Sequence, residues 1–287
     1  MPPPTSTTST TSTTSTPSSV PAVTSRDRSA DDGTTAPLTY GAVAATVQRD
    51  LPTPARVLAT GAHPDDIEFG CGGTLAKWAA AGAEIHHLVF TDGSKGTWDP
   101  GVDPAELVVL RRSEQRAAAA ALGARGEVVF CGWTDGELES GLRQRGVTAS
   151  WIRRLRPDVV IGHDPWKRYR LHPDHRNAGL LAVEGIVAAR DPLFFPEQAL
   201  SPHRPSALLL YEADEVDHVE DVTGFAERKI DALLAHASQF RSTMHIDGDD
   251  DGRQLAVFRG RILDRLADHG GIVGVAEGEA FKRIDRL

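Results

Sequence analysis

From Leu38 onward, short apolar runs alternate with longer helical stretches, and that alternation admits few folds. Residues 56–62 are mostly apolar and partly β-branched, and they end in a glycine and an alanine just before His63, so they read as a buried strand. Residues 69–81 read as a helix closed by Gly82, where a left-handed cap is favoured. Residues 84–91 form a second strand. Asp103, Pro104 and Glu106 then open a helix that stops at Gly123. A strand at 127–131, a helix at 141–155, a strand at 158–162 and a helix at 174–189 follow. Strands at 207–211 and 215–221 and helices at 223–236 and 253–267 complete the pattern. Strands separated by helices imply parallel pairing through right-handed crossovers, with helices on both faces of the sheet. In such sheets ligands bind beyond the carboxyl ends of the strands.

Composition narrows the class. The 287 residues are 40% hydrophobic, which is enough for one substantial core. We therefore expect one α/β domain over residues 37–287. The first 36 residues are nearly all Ser, Thr and Pro, too poor in apolar side chains to offset the entropy of ordering, and are expected to be a disordered tail. That tail lacks the apolar stretch of a secretory signal, and the expected compartment is the cytoplasm. A net charge of −9 argues against a nucleic-acid binder, and no apolar run has the length of a membrane span. Cys71 and Cys131 form no Cys-x-x-Cys pair, and each reads as a small buried hydrophobe.

Two short segments carry the chemistry. In Ala62-His63-Pro64-Asp65-Asp66, His63 and Asp66 are three residues apart, so both can face one ion while Asp65 points elsewhere. Imidazole nitrogen and carboxylate oxygen both suit Zn²⁺. The competing reading is a helix start in which Asp66 caps and His63 packs. The second segment, His172-Pro173-Asp174-His175, also opens a helix after a strand and loop. One of its histidines completes a two-histidine, one-aspartate set, which leaves a fourth position open for water. Two His-Pro-Asp turns after two strands of one sheet are hard to explain by packing alone.

The segments AHPDDIEFGCGGTLAKWAAAG, TDGSKGTW, RRSEQRAAAAALGA, HPDHRNAG and ALLAHASQF together resemble the PIG-L/LmbE family of zinc de-N-acetylases, over about residues 55–285. The resemblance implies a Rossmann-like three-layer α/β/α fold with a mostly parallel sheet. It also implies that His63, Asp66 and His175 hold the zinc. Asp65 would be the general base, His172 would act on the scissile amide as acid or oxyanion stabiliser, and Asp174 would orient His172. These roles suit amide hydrolysis, which needs an activated water and a proton for the departing nitrogen. Ferrous iron is an alternative metal for such a ligand set.

Arg111 stands where the family has a substrate-contacting arginine; the competing reading is a solvated helix face. Asp92 belongs to a loop expected to line the site, with Lys95 and Trp98 further along it. Trp98, Trp166 and Tyr169 are candidates for stacking on a sugar. Some relatives carry a tyrosine two residues before the second motif; here the position is Arg170, grouped with the substrate-binding candidates. His236 and Gln239 match a family segment whose role does not follow from the sequence.

Two lures fail. Gly70-Cys71-Gly72-Gly73 lacks dinucleotide-loop spacing, and its glycines are better read as allowing close approach at the helix start. The acidic run from Asp247 to Gly252 resembles a calcium loop, but its twelfth position is Phe258. The expected function is zinc-dependent removal of an N-acyl group, acetyl foremost, from an amino sugar or sugar conjugate. The alternatives are an amidase cutting a larger sugar–thiol conjugate and a non-catalytic metal- or sugar-binding module. The expected partner is a small N-acylated sugar-like molecule, with self-association left open.

Overall fold

The structure is a computed structural model and describes residues 46–287. The Ser/Thr/Pro-rich tail expected at residues 1–36 lies outside the described residues. Among these, eight strands form one sheet: β1 Gln48–Arg49, β2 Arg56–Gly61, β3 Glu84–Thr91, β4 Val128–Trp133, β5 Val159–His163, β6 Ala207–Tyr211, β7 His218–Asp221 and β8 Gly278–Ile284. Their order is β1-β7-β8-β6-β5-β2-β3-β4. Every pairing is parallel except those of β8, which runs antiparallel to both β6 and β7. The fold is therefore α/β with a mostly parallel sheet, as the alternation predicts. The helices are α1 Asp66–Ala80, α2 Pro104–Ala121, α3 Leu142–Leu155, α4 Pro173–Arg190, α5 Ala226–Leu234 and α6 Arg253–Gly271.

The strands divide their side chains between two cores by simple alternation. Val57, Ala59, Ile85, Val89, Ile161 and Leu209 face α1, α2 and α5. Leu58, Leu88, Phe90, Val160, Leu208 and Leu210 face α3 and α4. Burial on both faces explains why these runs read as continuously apolar. A third cluster, built on Ile230, Phe258, Ile262 and Leu266, docks α6 onto α5. No helix among the described residues is long and apolar enough to cross a membrane.

Helix α1 starts at Asp66, ahead of the start at residue 69 that the sequence pattern suggests. It carries a break at Cys71, where φ is −149°. Glycine at position 70 is required by contact: a Cβ there would come within 2.6 Å of the Tyr211 ring. Asp103 caps α2 as expected, accepting from the Ala105 N–H at 2.8 Å. The strand order reverses between β2 and β5, since β3 and β4 extend one way and β6 the other. Such a switch point opens a crevice at the strands' carboxyl ends.

Candidate active site

That crevice is filled by the two His-Pro-Asp turns. The loop after β2 is held by Thr91, whose N–H and Oγ both donate to the Ala62 carbonyl at 2.8 Å. Asp66 does not cap α1. Its carboxylate turns back to accept from the His63 N–H at 2.7 Å and faces the histidines of the site. Nδ1 of His63 lies 3.4 Å from Asp66 Oδ2, and Nε2 of His175 lies 3.2 Å from Asp66 Oδ1. The three donor atoms all lie within 4.8 Å of one another. Two ligands at about 2.1 Å from a tetrahedral ion sit about 3.4 Å apart, so the spacing fits a zinc-sized cation.

The electrostatics point the same way. Burial opposes charge on His63, yet Asp135, Asp174 and Asp66 hold its imidazolium well above the ordinary range. Burial likewise opposes charge on His175, which Asp66 raises. Asp66, despite burial, is held well below the carboxylate range by His175 and His163. Carboxylates crowding two histidines are a setting in which a cation is welcome.

Asp65 shares the cleft wall but not the cluster. Burial lifts its carboxyl to about 6; the Arg111 guanidinium opposes the lift and the Asp66 carboxylate adds to it. His172 begins α4 and is exposed, and its Nδ1 accepts from the Asp174 N–H at 3.3 Å, which leaves the proton on Nε2. The His172 ring lies 4.7 Å from both the His63 and His175 rings. Burial and the charges of His63 and His175 lower its pKa.

Asp174 departs from expectation. Its carboxylate turns to His63, not to His172: Oδ2 lies 3.2 Å from His63 Nε2, while the Gly136 and Leu138 N–H groups donate to its two oxygens at 2.6 and 3.2 Å. As the second residue of α4, it sends only its backbone N–H toward the His172 ring.

The substrate-binding candidates separate. Arg111 reaches the cleft wall, but it is only 2% exposed and donates to the carbonyls of Gly93 and Pro64. Gly93 has φ +69°, and a Cβ there would meet the guanidinium at 2.8 Å. Arg170 is not among the cleft-lining residues but packs behind two of them: its Nη1 donates to Glu212 at 2.8 Å and lies 3.3 Å from His163 Nδ1 and 3.4 Å from His175 Nδ1. Asp92 shapes its loop by accepting from the Ser94 and Asp135 N–H groups, and it is not among the cleft-lining residues. Trp98 is 64% exposed and lies beside His245, also outside the lining. Trp166 and Tyr169 are exposed as well.

Three residues that the sequence did not single out stand at the site. Asp135 follows β4, with Oδ1 3.3 Å from His63 Nε2. His163 ends β5, 3.2 Å from Asp66 Oδ2, and stacks on His175 at 4.4 Å. Glu212 follows β6, 3.6 Å from His163 Nδ1. Their shared signal is a polar residue at or just after the carboxyl end of an apolar strand. The cleft these groups line has a volume of about 360 Å³.

An α/β sheet with a cation-ready histidine–aspartate cluster at its switch point defines a class of metal-assisted hydrolases. Residues 58–186 match the PIG-L family, described as GlcNAc-PI de-N-acetylase. Diacetylchitobiose deacetylase of Thermococcus kodakarensis is 33% identical over 210 residues, 72% of this chain and 78% of the relative. The 1D-myo-inositol 2-acetamido-2-deoxy-alpha-D-glucopyranoside deacetylase of Mycolicibacterium smegmatis is 27% identical, covering 80% and 93% of the two chains. The solved N,N'-diacetylchitobiose deacetylase of Pyrococcus horikoshii superposes with a TM-score of 0.72 at 30% identity, over 81% of this chain and 84% of that one. The chain belongs to the PIG-L family and is an enzyme of the hydrolytic N-deacetylase class.

Proposed function

We propose that the chain is a zinc-dependent deacetylase that removes the acetyl group from the nitrogen of an N-acetylated amino sugar or its conjugate. The observation that carries this reading is the convergence of His63, Asp66 and His175 donor atoms within 4.8 Å, with the Asp65 carboxyl beside them in the same cleft. The names of the relatives supply the sugar: each contains an N-acetylated glucosamine unit.

His63, Asp66 and His175 hold the metal. Zinc in that position supplies Lewis acidity, lowering the pKa of water to about 7 and polarising a carbonyl oxygen. Asp65, not a ligand, takes the proton from the attacking water as the new C–O bond forms. Its carboxyl, lifted to about 6 by burial, suits proton transfer near neutral pH. His172, neutral with its proton on Nε2, donates Nε2–H from the cleft rim to the carbonyl oxygen as charge develops on it, and Asp65 hands the proton it took from water to the nitrogen as the C–N bond breaks, releasing acetate and a free amine. Asp174 and Asp135 hold the far nitrogen of His63, fixing the ring that faces the metal. The test is metal analysis of the purified protein together with amine release from N-acetylglucosamine and N,N'-diacetylchitobiose. Release that depends on bound zinc is expected. Zinc-loaded protein that frees no amine from any N-acetylated amino sugar would refute the assignment.

A further inference from the structure

Behind Asp65 lies a fully buried polar cluster that the reaction described above does not use. Asp65 has φ +112° and ψ −28°, a conformation that side chains other than glycine's rarely adopt. Such a backbone persists only where its surroundings fix it, and here both ends of one peptide are gripped. Arg111 donates to the Pro64 carbonyl, and Gln115 Oε1 accepts from the Asp65 N–H at 3.1 Å. Arg111 and Gln115 are four residues apart, one turn of α2, so the Pro64–Asp65 peptide lies across a single helix face.

The Gln115 amide is itself oriented. Its NH₂ donates to Glu68 Oε1 at 2.7 Å, so its carbonyl must face Asp65; the reverse placement would set oxygen against oxygen and N–H against N–H. Two histidine rings lie beside Glu68, His236 Nε2 at 3.3 Å and His87 Nε2 at 3.7 Å, and the side chains of Gln115, Glu68, His236 and His87 are all fully buried. This gives His236 of the ALLAHASQF segment a place: it backs the carboxylate that orients Gln115.

We propose that Gln115 is a positioning residue whose amide, oriented by Glu68, holds the Asp65 backbone in the left-handed conformation that aims its carboxylate into the cleft. The proposal rests on Asp65 being the base, and the experiment separates the two claims. Gln115→Met, Gln115→Glu, the exchange Glu68→Gln/Gln115→Glu and Asp65→Asn are compared in the zinc-loaded full chain. Turnover of N,N'-diacetylchitobiose, bound zinc, and deuterium exchange over residues 62–67 are measured on each.

Gln115→Met and Gln115→Glu are expected to lower kcat tenfold or more, with KM and zinc stoichiometry unchanged and with faster exchange at Asp65. The exchange variant restores an NH₂-to-carboxylate contact with the roles reversed, and is expected to return kcat to within threefold of the starting enzyme. A Gln115→Met enzyme within twofold in kcat, or one whose exchange at residues 62–67 is unaltered, overturns the proposal. So does a rate loss accounted for wholly by lost zinc, or a folded exchange variant that recovers nothing. Full turnover by Asp65→Asn would instead defeat the base assignment itself.

Discussion

The Asp174 carboxylate lies 3.2 Å from Nε2 of His63, a residue 111 positions earlier in the chain, and joins the two His-Pro-Asp turns directly. A carboxylate on the far nitrogen of a metal-facing imidazole fixes the ring's tautomer and raises its basicity. Asp174→Asn keeps an oxygen for only one of the Gly136 and Leu138 N–H groups and removes the charge. We expect zinc affinity to fall about 10- to 100-fold, read by competition with a chromophoric chelator. If Asp174 served His172 instead, zinc affinity would stay within twofold and only kcat would drop.

Asp65→Asn has the opposite signature. The variant should bind zinc at full stoichiometry and lose about 10²- to 10⁴-fold in turnover, the usual worth of a positioned base. Loss of zinc, with the rate recovering in excess metal, would show that Asp65 is a ligand.

Metal binding should release protons. Without metal, His63 and His175 have raised pKa values and keep their protons to higher pH than a free imidazole, whereas ligation requires neutral imidazole. The sign follows: affinity weakens as pH falls, and strengthens as pH rises until both raised values are passed. Zinc titration by calorimetry at pH 7, in two buffers of different ionisation enthalpy, should show release of up to about two protons. Identical heats in both buffers would contradict this.

The central strands were legible because each is apolar on both faces, and the two ligand-bearing turns because each packs several metal-type side chains into four residues. Strand β8 was not. Its sequence, GEAFKRI, looks too polar for a strand between β6 and β7. The structure supplies the reason: Glu279 meets Lys229 and Lys282 meets Asp217, partners distant in sequence. Asp135, His163, Glu212 and Gln115 escaped notice for a related reason. None belongs to a compact run of metal-type side chains, and only the packing of α2 against the strand ends brings them to the site. The placement of Asp174 shows the same limit, since the family resemblance pairs it with His172 while the fold delivers its carboxylate to His63.

That polar β8 strand yields a stability prediction. The break in α1 at Cys71 leaves the Gly73 and Thr74 N–H groups to donate to Glu279, at 2.9 and 2.7 Å. The carboxylate is 2% exposed, and Lys229, itself 3% exposed, donates to it at 2.6 Å. The pair thus ties α1, α5 and β8 together beneath the site. Removing one member of a buried ion pair leaves a charge without its counterion, which typically costs about 3–5 kcal/mol. Lys229→Met should therefore destabilise by about that amount in urea unfolding, with an unchanged dependence on urea. Glu279→Gln in the same background removes the stranded charge while keeping an oxygen for one of the two N–H groups, and should recover part of the loss. A Lys229→Met cost below about 1 kcal/mol would mean that water reaches Glu279 and the pair is only a surface contact.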